Sequence, residues 1–276
     1  MVKMKKSDLL ALLKMTKREA VVGGKKLSQV SSTVIQAVGD YLCTVSIVRD
    51  GVSSIGRFIV PTTDDEPALE NITVADIDLL IGALSAHGSD IDIHYADNKI
   101  TLKSGSKRTT LSSDGRAKAF PHTNKTVGEW SADSDARFTK SLCDIELNQY
   151  TMQGGASIDG VVATVNRKDL LDAMRSGSIN GQMIEATRLT LNTDRTLEVI
   201  VGGEMKGATR TVLDTDIRRN EAITTVIGGG FENILAHTSS VDCDLIFFDF
   251  SAYDAGVAVV LRTNEAVVFQ REAKNG

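Results

Sequence analysis

A basic, Asp-Leu-Leu phrase is written twice in this chain, as KKSDLLALLK at Lys5–Lys14 and as RKDLLDAMR at Arg167–Arg175. Asp8 and Asp169 stand 161 positions apart, Leu102 and Leu261 159 apart, and Thr110 and Val268 158 apart. A near-constant offset across most of a chain marks an internal duplication, which restricts the fold to two copies of one unit. The length of 276 residues agrees, since a single core normally serves about 100 to 200 residues.

Each copy reads as strand-rich. Ser28–Ala37 and Tyr41–Val48 carry Val, Ile and Thr around a Gly39-Asp40 turn, and Val52–Val60 follows the turn at Arg49–Gly51, so hairpin-linked strands are expected. In VADIDLLIGALSAHG the residues Ile77, Leu80, Ile81 and Leu84 recur at helical spacing, with Gly88 where a C-terminal cap belongs. DIDIHYA, NKITLKS and KRTTL then form a meander. From Ser112 to about Gly155 the periodicity fails and a connector is expected, with strand pieces at its far end. The second copy replays the order: VVATV, RKDLLDAMR, LTLNT, TLEVIV, MKGATRTVL, AITTVI, GGFENILAH, CDLIFFDF, GVAVVLRT and EAVVFQ. Strands come in runs rather than alternating with helices, so the expected class is α+β, with antiparallel sheets and two helices on one side of each copy. The divisions are 1–111, a connector at 112–155, and 156–276.

The two phrases have matching faces. On a helix beginning near Ser7, Leu9, Leu12, Leu13 and Thr16 share one side, while Ser7, Ala11, Lys14 and Arg18 share another, with Lys17 beside them. In the second copy Leu170, Leu171, Ala173 and Met174 are apolar, and Lys168, Asp172 and Arg175 take the other side. Solvated lysines on ordinary amphipathic helices explain either phrase alone. Net charge decides how much weight the pair deserves. The chain carries −5 overall, yet Met1–Lys26 holds Lys3, Lys5, Lys6, Lys14, Lys17, Arg18, Lys25 and Lys26 against Asp8 and Glu19, and the chain from Glu221 onward is acidic. Bulk attraction for nucleic acid is excluded, and a repeated basic helix face gathered around one polyanion is favoured instead.

The order of elements, the duplication, the connector and the phrases VNRKDLLDAM and DNKITLKSGSKRTTL resemble DNA sliding clamps, the processivity factors of DNA polymerases. In length the chain is similar to proliferating cell nuclear antigen and the clamps of archaea and tailed phages, rather than to the three-domain bacterial β clamp. The resemblance implies two tandem DNA-clamp-like domains, and three chains closed head to tail into a homotrimeric ring around double-stranded DNA. It implies no catalysis and no cofactor, with a DNA polymerase and a clamp loader ATPase as partners. The DNA-facing candidates are Lys14, Lys17, Arg18, Lys168 and Arg175, followed by Arg167, Arg218 and Arg219. Val38, Tyr41, Tyr253 and Phe269 are the candidates for an apolar pocket taking partner peptides, with packing in the core or seam as the competing explanation. A clamp-fold scaffold or transcription accessory that does not encircle DNA is the alternative function.

Other chemistry finds little support. Asp90, Asp92 and His94 alternate on one strand as metal ligands could, but an outward polar strand face explains them as well. Gly228–Gly230 lacks the Lys-Ser/Thr of a phosphate loop. Cys43, Cys143 and Cys243 have neither disulfide nor zinc spacing, and no Ser or Cys stands in a nucleophile setting. An enzyme site in the connector, around Asp133 and Asp135, is the remaining catalytic option. No stretch has the roughly 18 apolar residues of a membrane helix and no secretory cleavage site follows the N-terminal lysines, so no membrane contact and a cytoplasmic location are expected.

Overall fold

The computed structural model describes residues 1–113 and 148–276, apart from 18, 23–24, 29–31, 39–40, 49–53, 64–71, 75, 152–156, 177–185, 203–206, 229, 254–255, 271 and 273–276. Arg18, Asp133, Asp135 and most of the expected connector therefore lie outside the described residues. The N-terminal half runs β1 (Val2–Lys5), α1 (Lys6–Thr16), β2 (Glu19–Val22), β3 (Lys25–Ser28), β4 (Ser32–Val38), β5 (Tyr41–Val48), β6 (Ser54–Pro61), β7 (Ile72–Val74), α2 (Ile77–Ser85), β8 (Asp90–Ala96), β9 (Lys99–Ser104) and β10 (Lys107–Ser112). A small hairpin follows, β11 (Gln149–Thr151) with β12 (Ser157–Asp159). The C-terminal half runs β13 (Val161–Asn166), α3 (Arg167–Ser176), β14 (Thr187–Leu191), β15 (Thr196–Val201), β16 (Thr209–Asp214), β17 (Ile223–Ile227), α4 (Phe231–His237), β18 (Asp242–Asp249), β19 (Val257–Arg262) and β20 (Ala266–Gln270).

Among the described residues pairing is antiparallel, and apart from the β2–β3 hairpin the two halves repeat each other's strand order. β1-β8-β9-β10 has the order of β13-β18-β19-β20, and β6-β5-β4-β7 has the order of β16-β15-β14-β17. The expected α+β class with antiparallel sheets holds. One equivalence shifts by a residue: Leu261 faces Val268 while Leu102 faces Thr109, so Val268 corresponds to Thr109 and not to Thr110. Counting along the chain cannot see that slip, because only the hydrogen-bond register fixes it.

The halves join through their sheets. β20 pairs with β6, with Ala266 opposite Phe58 and Gln270 opposite Ser54, which fuses one sheet from each half into eight continuous strands. The main core lies on the helical side of this sheet, where Phe58, Leu245, Phe247, Val259, Leu261 and Val268 meet Leu9, Leu12 and Leu13 of α1 and Leu170 and Met174 of α3. Alternation sends Ile246, Phe248, Val260 and Phe269 to the opposite face, where Tyr150 of β11 covers them. At the seam Ile59 N donates to Glu265 O at 2.8 Å. The Glu265 carboxylate accepts from Thr238 Oγ1, Ser239 Oγ and the Ser239 amide, pinning the exit of α4 to the β19–β20 turn. Burial alone would raise its pKa, but these hydrogen bonds together hold it below the ordinary glutamate value. Among the described residues no helix is long and apolar enough to cross a membrane.

Candidate nucleic-acid interface

Among the described residues four helices form one layer in the order α2, α1, α4, α3. Periodicity fixes which side of each helix reaches the core. On α1, Leu9, Leu12, Leu13, Met15 and Thr16 are buried while Ser7 and Lys14 are exposed. On α3, Leu170, Leu171, Ala173 and Met174 are buried while Lys168, Asp172 and Arg175 are exposed. Local signals place the helix starts: Asp76 accepts from Leu79 N at 2.9 Å to cap α2, and Asn166 Oδ1 accepts from the amides of Lys168 and Asp169 to cap α3.

Packing of α4 between α1 and α3 brings the two halves together. Asn233 Nδ2 donates to Lys17 O at 3.4 Å, so α4 lies along the last turn of α1. One turn further on, His237 lies within electrostatic reach of both Lys14 and Arg175. Burial lowers the pKa of its ring, and the two cations lower it further. Lys14 and Arg175, 161 positions apart as Asp8 and Asp169 are, stand on the two helices that flank α4. No nucleophile, metal-ligand or other local pattern marks His237 in the sequence; only the packing of three helices does.

The other candidates are distributed differently. Lys17 is ion-paired with Asp78 of α2 at 2.8 Å, so its charge is partly neutralised within the helix layer. Arg167 is not an open cation: Nε donates to Ser240 O at 2.7 Å and Nη1 to Leu235 O at 2.5 Å. It closes the C-terminal end of α4, where carbonyls lack helical partners. Arg167→Met is therefore expected to lower stability by about 1.5–3 kcal/mol, the range for hydrogen bonds to a charged group, with duplex binding unchanged. Urea melts paired with a duplex titration check this, and lost binding at unchanged stability would return Arg167 to the interface. Arg218 is exposed in the β16–β17 loop. Arg219 acts on the carboxylate of Asp249, at the end of β18 remote from Asp242, where α3 begins. The strand between them is about 23 Å long, so Arg219 is held away from the start of α3. Lys14, Lys168 and Arg175 are exposed on the helix layer.

The four pocket candidates do not assemble. Phe269 is 1% exposed and stacks on Tyr150 at 6.0 Å between ring centroids, so it is a core residue. Tyr41 pairs with Pro61 at one end of β6, whereas Gln270, beside the end of the sheet carrying Tyr253, pairs with Ser54 at the other. Val38 pairs with Tyr41, and its side chain lies outside the described residues. Tyr41 and Tyr253 are exposed, but at opposite sheet ends. Asp90, first of the alternating trio with Asp92 and His94, is ion-paired with Lys5 at 2.5 Å. Burial pushes the Cys243 thiol up to about 12, so it stays protonated.

No protein-family profile and no curated protein matches the chain. Solved structures do. The DNA polymerase III β subunit of Thermotoga maritima superposes with TM-score 0.66 at 10% identity, over 100% of this chain and 65% of that one. The DNA polymerase sliding clamp of Bacillus subtilis gives 0.62 at 13% identity, over 100% and 64%. The Helicobacter pylori β clamp bound to a DNA ligase peptide gives 0.58 at 14%, over 100% and 67%. This chain has the clamp fold and spans about two thirds of the length of these structures. They are bacterial β clamps, so the likeness to proliferating cell nuclear antigen drawn from chain length is corrected: these fold matches are to the bacterial type.

Proposed function

We propose that the chain is a sliding clamp that encircles duplex DNA and tethers a DNA polymerase without catalysis of its own. The observation that carries this is the helix layer, which exposes Lys14 in one half and Lys168 and Arg175 in the other, in a chain of net charge −5. Such cations bind phosphates without reading bases, which permits movement along the duplex. Weak contacts suffice when a closed ring provides retention.

The sheets supply a reason for closure. Within the chain, β20 of the second half adds to β6 of the first. Their counterparts by duplication are β10 and β16, and each is a terminal strand of its sheet among the described residues. A second copy can repeat the β20–β6 junction by adding its β16 to β10, and a free edge otherwise invites uncontrolled pairing. Head-to-tail addition of this kind closes into a ring or continues as a filament. With residues 1–111 and 156–276 as two clamp-like domains, three copies give a six-domain ring. The Helicobacter pylori clamp carries a DNA ligase peptide. By analogy, peptides of the polymerase and of a clamp loader ATPase dock on the sheet face opposite the helices, near Tyr253, beside the cluster of Tyr150, Phe248 and Phe250.

Native mass spectrometry of the 29.6 kDa chain tests the assembly, with three copies expected. Loading on nicked circular DNA followed by linearisation tests encirclement. Protein retained on circles at high salt and lost on cutting is the expected result. A monomer that leaves both forms equally favours the non-encircling scaffold.

A further inference from the structure

We propose that Asp216 guards the outer edge of β13 against a second copy of this chain, so that copies meet through β10 and β16 and not through β13. This rests on the ring assembly proposed above and adds to it the residue that selects its edges.

The guard follows from strand register. β13 ends the eight-stranded sheet and is paired on one side only, with β18. Thr164 stands opposite Asp244, but its amide donates to Asp216 Oδ1 at 3.0 Å. That N–H therefore points away from β18, into the space where a further strand would add. The chain entering β13 is engaged as well: the β11–β12 ladder continues to the Gly160 amide, which donates to Asn148 O at 2.6 Å. Asp216 is itself held in place. Before it, the Thr215 amide donates to Arg195 O at 2.8 Å, and after it Ile217 packs on the main core. Anchored on both sides, Asp216 is presented to β13.

The first half has the same arrangement. Lys3 and Thr164 are 161 positions apart, and Lys3 faces Asp92 as Thr164 faces Asp244. Lys3 O accepts from Thr63 N at 2.9 Å. Thr63 lies two residues past the end of β6, and Asp216 two past the end of β16, which holds the place of β6 in the second half. The exits of equivalent strands thus cover the same edge position in both copies, once through a backbone amide and once through a side chain.

Sequence explains why β13 needs a cover. VVATVN is uncharged and mostly β-branched, and at six residues it is as long as β10 and β16. An uncharged β-branched edge is a template for unwanted pairing. β10 (KRTTLS) and β16 (TRTVLD) carry charges. Among the described residues no hydrogen bond from outside their sheets reaches the backbone of either. The edge strands β7 and β17 are shorter, with three and five residues. Covering β1 and β13 therefore leaves β10 and β16 as the longest open edges, the two that the ring uses.

The test compares the full-length protein with Asp216→Ala and Asp216→Asn by native mass spectrometry across a concentration series, alongside amide hydrogen exchange resolved to Thr164. Asp216 is exposed, so both variants keep the core intact. Asp216→Asn retains an oxygen that accepts from Thr164 and is expected to match the wild type in both measurements. Asp216→Ala is expected to speed exchange at Thr164 about tenfold, the ratio for one ordinary hydrogen bond lost. It is also expected to add species larger than the wild-type assembly, in a share that grows with concentration. Wild-type masses for Asp216→Ala at every concentration overturn the guard, whatever the exchange rate. An Asp216→Asn protein that associates as Asp216→Ala does also overturns it, because the acceptor oxygen would then not be what blocks the edge. The ring is judged separately, on the wild type. If the wild type stays a single chain, the ring falls, and association of Asp216→Ala beyond that single chain still supports the guard.

Discussion

Phe58→Ala is expected to lower the unfolding free energy by about 3–5 kcal/mol, the usual cost of removing a fully buried aromatic ring. Phe58 is 0% exposed and stands on β6, between Thr44 of β5 and Ala266 of β20. It belongs to the core shared by α1, α3 and both halves of the eight-stranded sheet. The ring fits only because its neighbour but one is glycine: a Cβ on Gly56 would lie 2.7 Å from the Phe58 ring edge. Alanine at position 58 leaves a cavity that backbone on two sides, each held in a ladder, cannot collapse into. The halves share this cluster, so they are expected to unfold in one transition, with a lower urea midpoint and an unchanged slope. α1 packs on β6, so Lys14 is expected to lose its fixed position as well. A loss below about 1 kcal/mol, or separate melting of the halves, would show that the seam is not part of a common core.

Much of this arrangement is written locally. The period of 3.6 picks out Leu9, Leu12, Leu13, Leu170, Leu171 and Met174, all buried, and leaves Lys14, Lys168 and Arg175 outside. Hairpin turns and β-branched runs locate most strands. What escapes is short or non-local. β7 has three residues, too few for a period, and β1 reads as a basic tail although Val2 and Met4 alternate with Lys3 and Lys5 and are both buried. The β20–β6 junction joins segments about 210 positions apart, and nothing in either strand names the other. Site residues divide in the same way. A periodicity argument identifies an outward cation but not what it meets, so Arg167 and Lys17 look like Lys14 until Leu235 O, Ser240 O and Asp78 are seen beside them. Element order groups Tyr41 with Tyr253, and strand register sends them to opposite ends of a sheet.

Reversing Lys14, Lys168 and Arg175 together to glutamate is expected to abolish productive duplex binding while leaving the assembly intact. Each residue is exposed on a helix whose buried face is untouched by the change, so the core and the sheet edges are preserved. Binding by phosphate neutralisation makes the logarithm of affinity fall with the logarithm of salt at about 0.9 per contact. Removing three contacts lowers that slope by about three for each chain engaged, and at about 0.1 M salt it costs between two and three orders of magnitude in affinity. Reversal adds repulsion to the loss, so polymerase stimulation on long primed templates is expected to vanish. Arg188→Glu is the matched control: an exposed arginine reversed on strand β14, not on a helix, for which no change in slope is expected. The salt slope separates two ways of failing. A triple variant that forms its native oligomer and keeps the wild-type slope would mean that phosphates are met by other cations, and the helix layer would then be a structural wall and not the surface facing DNA.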